Sequence, residues 1–133
     1  MFAPSDPILV VDDMELIRQV VKTELVGMGF KNIIEAATGN EALTELIKTL
    51  SKNPVQLVIS DWNMPGMTGL DFLKQVRSNP KTHNLPFIML TTEAEMENVM
   101  DAIREGVSNY IVKPFEAGQL ADKIKQVWKK HFG

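Results

Sequence analysis

The chain has 133 residues, 44% hydrophobic and 23% charged, which suits one packed domain, expected over 1–133 with its core at about 7–130, and excludes a disordered chain. The formal net charge is −3 and no Lys or Arg run is long enough for a nucleic-acid footprint, so no nucleic-acid partner is expected. With no cysteine, disulfides and thiolate chemistry are excluded. Apolar runs such as Ile8–Val11 and Phe87–Leu90 are far too short to cross a bilayer, and the start Met1-Phe2-Ala3-Pro4 lacks the pattern of a secretion signal. The expected compartment is therefore the cytoplasm, with no membrane insertion.

Two periods alternate along the chain. Ile8–Val11 predicts a first strand; Ile17, Val20, Val21, Leu25 and Met28 then step by threes and fours into a helix stopped near Gly29. Ile33–Ile34 predicts a second strand. Thr38 and Glu41 have the spacing of a capping box and open a helix with Leu43, Leu46, Ile47 and Leu50, stopped by Asn53-Pro54. Leu57–Ile59 predicts the third strand, and Thr68 with Asp71 opens a shorter helix through Leu70, Leu73 and Val76, stopped by Asn79-Pro80. Phe87–Leu90 is the fourth strand, followed by Met96, Val99, Met100 and Ile103 on a helix stopped by Gly106. Tyr110–Val112 is the fifth, and Leu120, Ile124, Val127, Trp128 and His131 repeat the helical stripe to the C-terminus. Apolar runs with little alternation suit strands buried on both faces. The prediction is an α/β fold: a five-stranded parallel sheet with helices on both faces and right-handed crossovers.

In such a sheet, ligands bind beyond the carboxyl ends of the strands, where strand order reverses. The first strand runs into Asp12-Asp13, the third into Ser60-Asp61, the fourth into Thr91-Thr92 and the fifth into Lys113-Pro114. Three carboxylates, a hydroxyl and an ammonium thus share one rim. Three carboxylates in one cleft repel unless a cation joins them, and Mg2+ is the hard ion that accepts few protein ligands. Each residue alone has a structural reading: Asp13 as the cap of the first helix, Thr91 as a β-branched strand residue, Lys113 as a solvated charge, Pro114 as a loop stop, Tyr110 as an edge aromatic. The joint arrangement favours a site, because each residue closes a different strand on the same rim.

The segments Val10-Val11-Asp12-Asp13, Ile59-Ser60-Asp61-Trp62-Asn63-Met64-Pro65-Gly66-Met67-Thr68-Gly69, Met89-Leu90-Thr91-Thr92 and Tyr110-Ile111-Val112-Lys113-Pro114-Phe115 resemble the receiver-domain family of two-component response regulators. The Asp61–Pro65 and Tyr110–Phe115 stretches are similar to its single-domain, CheY-like chemotaxis branch in particular. The resemblance implies the flavodoxin-like strand order 2-1-3-4-5, of which these receivers are a standard instance. It implies Asp61 as the acceptor of a phosphoryl group from a histidine kinase. Mg2+ is then held directly by Asp13, Asp61 and the backbone carbonyl of Asn63, with Asp12 acting through water. Thr91 is the hydroxyl that turns to the phosphoryl group, Lys113 the cation that pairs with it, and Tyr110 the aromatic that follows Thr91. The resemblance further implies a cis bond before Pro114, and Asn63, Glu93 and Thr92 beside the path by which water removes the phosphoryl group. The output face would comprise the fourth helix, fifth strand and fifth helix, with Ala94, Tyr110, Val112, Phe115 and Lys123, and its partner a flagellar motor switch protein. A phosphatase is a further expected partner and the expected state is a monomer. Such a chain is a phosphoacceptor signalling protein that promotes its own phosphotransfer and autodephosphorylation, rather than an enzyme for external substrates.

The chain also departs from the chemotaxis pattern. Glu95 and Met96 stand where relatives often carry lysines, Glu116 where Thr or Ser is usual, and Met14-Glu15-Leu16 where small polar residues are usual. The expected output face is therefore more acidic and more apolar, which leaves the partner open. The alternative is a phosphorelay intermediate or phosphate sink without a motor target. A Mg2+-dependent hydrolase is disfavoured for want of a cap domain. Binding of a flavodoxin-type cofactor is disfavoured because Asp12-Asp13 stands where a phosphate needs hydroxyls and backbone donors.

Overall fold

The computed structural model describes residues 1–92 and 98–133. Strands β1 (Ile8–Val11), β2 (Ile33–Ala36), β3 (Leu57–Asp61), β4 (Phe87–Thr91) and β5 (Asn109–Val112) form one parallel sheet in the order β2-β1-β3-β4-β5. Helices α1 (Glu15–Gly27), α2 (Gly39–Thr49), α3 (Gly69–Ser78), α4 (Val99–Arg104) and α5 (Gln119–Phe132) follow the strands in turn.

Alternate residues of the strands feed two separate cores, as the two-residue period of a strand requires. Leu9, Val11, Val58, Phe87 and Met89 meet Ala42 and Leu46 of α2, Phe72, Leu73 and Val76 of α3, and Ala102 of α4. On the other face Ile8, Val10, Leu57, Ile59, Ile88, Leu90 and Ile111 meet Val21 and Leu25 of α1 and Leu120, Ile124 and Val127 of α5. Every residue of β1, β3 and β4 is buried, so their uninterrupted apolar runs reflect cover on both sides.

The helix ends obey local chemistry. Thr38 caps α2 by accepting from the Glu41 N–H (3.1 Å), and the Glu41 carboxylate accepts from the Ala37 N–H (2.9 Å). Thr68 caps α3 in the same way through the Asp71 N–H (3.1 Å). Gly29 (φ 98°) ends α1 and Gly106 (φ 90°) ends α4. In both, the glycine N–H reaches back to Val26 or Ile103 and the next N–H, of Phe30 or Val107, to Leu25 or Ala102, the paired closure that a left-handed residue permits.

The apolar stripes are broader than the buried arcs. Val20, Ile47, Met100 and Ile103 are exposed, and on α4 the core-facing pair is Val99 and Ala102, three apart, rather than Val99 and Ile103. Each helix covers only part of one sheet face, so the outer edge of its stripe remains in water. Helix α2 also ends at Thr49, before the expected stop at Asn53-Pro54. Met96 lies outside the described residues.

Gly69 begins α3 immediately beneath the end of β3, donating its N–H to the Trp62 carbonyl at 2.7 Å. A Cβ added there would collide with the Asp61 carbonyl oxygen and lie 2.9 Å from both the Met89 sulfur and the Trp62 Cα. Backbone cannot yield as a side-chain tip can. Gly69→Ala is therefore expected to cost about 1–3 kcal/mol of stability, read as a lower urea midpoint, with a changed emission from the neighbouring Trp62.

Candidate functional site

Strand register brings the acids together. Val11 pairs with Ser60 in the parallel β1–β3 ladder, so the next residues, Asp12 and Asp61, emerge side by side at the carboxyl edge. Asp12, Asp13 and Asp61 each present a carboxylate oxygen within 4.8 Å of the others'. Asp12 and Asp61 are buried whereas Asp13 is exposed. On the other side of β3, Asp61 pairs with Leu90 and Thr91 with Val112, which sets Thr91 and Lys113 at the same edge. The Lys113 N–H donates to the Thr91 carbonyl (2.6 Å), and the Lys113–Pro114 peptide is cis.

Lys113 Nζ donates to Asp61 Oδ1 at 2.8 Å and stands 3.6 Å from Asp12 Oδ2. Asp12 Oδ1 accepts from the Met14 N–H at 2.9 Å. This turn answers the capping reading of Asp13: the α1 cap position is Met14, with no side-chain bond, and the local acceptor is Asp12. Asp13 is thereby left facing solvent at the rim. Among the described residues, Asp12 Oδ2 is buried without a hydrogen-bond partner. Burial pushes the Asp12 carboxyl above the ordinary range; the Met14 N–H opposes this, the Asp61 charge adds to it, and Lys113 opposes while Asp13 adds.

One ammonium thus faces two buried carboxylates with a third beside them. An unsatisfied buried oxygen aimed into an all-oxygen cluster fits a hard divalent cation such as Mg2+, with Asp12, Asp13 and Asp61 as its side-chain donors. Asn63, whose backbone carbonyl is the other expected donor, is exposed just past the end of β3.

The remaining expected residues fall in three places. Thr91 is buried, its hydroxyl donating to the Thr92 carbonyl at 3.3 Å, and Thr92 is half-buried next to it. Tyr110 is half-buried against the α2–α3 core with Lys123 Nζ 5.5 Å from its ring centre, and Val112 lies on the same edge strand. Phe115 packs instead against the opposite, α1–α5 core. Glu93 and Ala94, like Glu95, lie outside the described residues. Sequence reasoning missed Arg18, which donates to the Asp12 carbonyl at 2.7 Å and to Glu35 at 3.2 Å. Its signal was an arginine beside the inward stripe of Ile17, Val21 and Leu25.

The family model of the response regulator receiver domain matches residues 8–125. This chain belongs to the response regulator receiver family. It is 42% identical over 123 residues to the chemotaxis protein CheY-3 of Vibrio cholerae, covering 92% of each chain, and 39% identical to the chemotaxis protein CheY of Pseudomonas aeruginosa, covering 92% of this chain and 96% of that one. Among solved structures it resembles the chemotaxis response regulator CheY4 of Vibrio cholerae, with a TM-score of 0.81, 36% identity and coverage of 92% and 98%. A putative response regulator from Chloroflexus aurantiacus gives a TM-score of 0.85 at 30% identity, with coverage of 94% and 98%. The receiver's sheet order and its five β-α units match this fold. Among the described residues no helix is long and apolar enough to cross a membrane.

The acid cluster stores unfavourable charge in the metal-free receiver. A raised folded-state pKa means that Asp12 favours folding fully below the unfolded carboxyl value, about 3.9, and that this contribution is lost as pH rises through the folded value. In chelator, Asp12→Asn is therefore expected to raise stability at pH 7.5 by roughly 1–3 kcal/mol, the scale of an unsatisfied buried polar group. The gain should shrink towards pH 4. Urea midpoints at the two pH values check both the sign and the window.

Proposed function

We propose that this receiver takes a phosphoryl group on Asp61 from a phosphohistidine of a histidine kinase and carries the signal on the face formed by α4, β5 and α5. The observation that carries the reading is the contact of Lys113 Nζ with Asp61 Oδ1 at 2.8 Å, beside the orphaned Asp12 Oδ2. An Asp61 oxygen would attack phosphorus as the phosphorus–nitrogen bond breaks, and the bonding pair would stay on the imidazole. Mg2+, when bound by Asp13, Asp61 and the Asn63 carbonyl with Asp12 behind them, supplies neutralisation of the crowded anions. Lys113 already lies against the acceptor carboxylate and would pair with the incoming phosphoryl oxygens as their charge grows.

The Thr91 hydroxyl, which donates to the Thr92 carbonyl at 3.3 Å, would turn to the new oxygens. Tyr110, one strand over and pinned beneath Lys123, would then change position and alter the face. By likeness to chemotaxis proteins, the partner we assign is a flagellar motor switch protein, the setting the cytoplasm and the signalling form a monomer; a phosphatase would shorten the signal. Asn63, Thr92 and Glu93 would tune water access to the phosphorus.

Wild-type protein with acetyl phosphate and Mg2+ should take up one acid-labile phosphoryl group, whereas Asp61→Asn should take up none, because an amide forms no acyl phosphate. Stoichiometric label retained by Asp61→Asn would remove the assignment. Loss of label from the wild type should be complete within minutes, and Asn63→Arg should slow it by covering the path of attacking water. A pull-down with beryllofluoride-treated against untreated protein separates a motor target from a phosphate sink: enrichment of a motor switch protein supports the first, and its absence the second.

A further inference from the structure

We infer that Arg18 is a positioning residue for the acid pair, setting the metal affinity of a site it does not touch through ligand contact; this rests on the Mg2+ reading of Asp12, Asp13 and Asp61. The need for it arises where β1 ends. Val11 is the last residue of β1 in the ladders to β2 and β3, so Asp12 follows it out of the sheet before α1 begins at Glu15. Its N–H is held by the Ala36 carbonyl at 3.1 Å, but its carbonyl has left the ladder in buried surroundings. Arg18 Nη1 supplies that partner at 2.7 Å from the first turn of α1. A peptide unit is planar, so a fixed Asp12 carbonyl also fixes the N–H and Cα of Asp13. One hydrogen bond therefore orients the backbone of both acids.

Arg18 is itself oriented. Its Nε donates to Glu35 Oε1 at 3.2 Å, and Lys22 Nζ stands 3.5 Å from Glu35 Oε2. The guanidinium side chain is only 16% exposed, and its fork engages two partners at a fixed angle. Glu35 sits on β2 directly before Ala36, so this edge strand grips Asp12 twice: through the Ala36 carbonyl and, by way of Glu35 and Arg18, at the Asp12 carbonyl. Arg18 touches the backbone carbonyl of Asp12 rather than its carboxylate, so its hold on the site is on the placement of that backbone. Lysine would lose the fork, and one ammonium would have to choose between Glu35 and the Asp12 carbonyl. Outer-shell partners that orient metal ligands contribute measurably to affinity, and their loss typically costs about tenfold or more.

The test uses the whole chain and Mg2+ alone as probe, read by Trp62 fluorescence and by the Tm in chelator and at one fixed Mg2+ concentration. Arg18→Ala should weaken Mg2+ binding by roughly tenfold and narrow the Tm gap between the two conditions, with Arg18→Lys in between. Glu35→Gln, which keeps an acceptor for Nε, should have a smaller effect of the same sign. Where Arg18→Ala fails to fold in chelator, Arg18→Lys and Glu35→Gln carry the comparison. A purely structural arginine would lower both Tm values equally and leave the Mg2+ Kd unchanged, and that outcome overturns the inference while leaving the metal reading intact. A wild type that shows no Mg2+ response overturns both.

Discussion

Parallel register forces Asp12 and Asp61 to leave adjacent strands at the same level, and the repulsion this builds into the edge of the sheet governs the rest of the molecule. Two buried carboxylates at the end of β1 and β3, with Asp13 beside them, face, among the described residues, the Lys113 ammonium from the end of β5. Lys113 cannot serve both equally. It lies at hydrogen-bond distance from Asp61 and farther from Asp12, whose second oxygen stays without a hydrogen bond. A protein selected for stability alone would replace Asp12 with a neutral side chain. Retaining the charge leaves the edge able to take a cation, which would relieve the repulsion built into it.

That repulsion is tolerated because the surroundings are rigid. The last residues of β1 and β3 sit in a sheet covered on both faces, with every strand residue of β1, β3 and β4 buried. Gly69 lets the start of α3 approach the Asp61 backbone more closely than any side chain allows, and Arg18 holds the carbonyl of Asp12 from α1. The acids consequently have few ways to relax apart. Their carboxylates can only protonate, pair or take up a cation, and at neutral pH the last is the one that satisfies all three together.

Most of the fold was legible because strand and helix periods here rarely conflict. The apolar runs marked all five strands to within two residues, since central strands lack the polar face that would have confused the period. Thr38 and Thr68 located two helix starts through side-chain caps, and Gly29 and Gly106 two stops through positive φ. The outer limits of the stripes were not legible. Met100 and Ile103 share a helical face with Val99 in sequence, and only the packing of α4 in the fold selects Ala102 in their place. For the site, strand-end acids were visible as types at positions. Their pairing was visible only through register, a property of two segments about fifty residues apart. Arg18 was visible only as an arginine beside the inward stripe of α1; its hold on the Asp12 backbone was not, because its partner there is a backbone carbonyl and no residue type records that. The cap reading of Asp13 failed for a related reason: the Asp12 side chain is placed to take the Met14 N–H, and α1 starts without a side-chain cap.

The same register that creates the repulsion also gives the site a short route to the far edge of the sheet. Asp61 pairs with Leu90, the next residue of β4 is Thr91, and Thr91 pairs with Val112, two residues from Tyr110. Each step is a neighbouring strand or a neighbouring residue, so a change at Asp61 need not pass through either apolar core to reach β5. The Lys113 N–H to Thr91 carbonyl bond at 2.6 Å ties the end of β5 to β4 at the point where the Lys113 side chain turns back to Asp61. In the proposed cycle, new charge at Asp61 would act on Lys113 through space and on Thr91 through its hydroxyl, two pulls on one pair of strand ends. Tyr110 lies where they meet, with one side of its ring on the α2–α3 core and Lys123 over the ring. For that cycle to give a switch rather than a graded response, this half-buried aromatic between a core and a long side chain would need two packed arrangements rather than a continuous range.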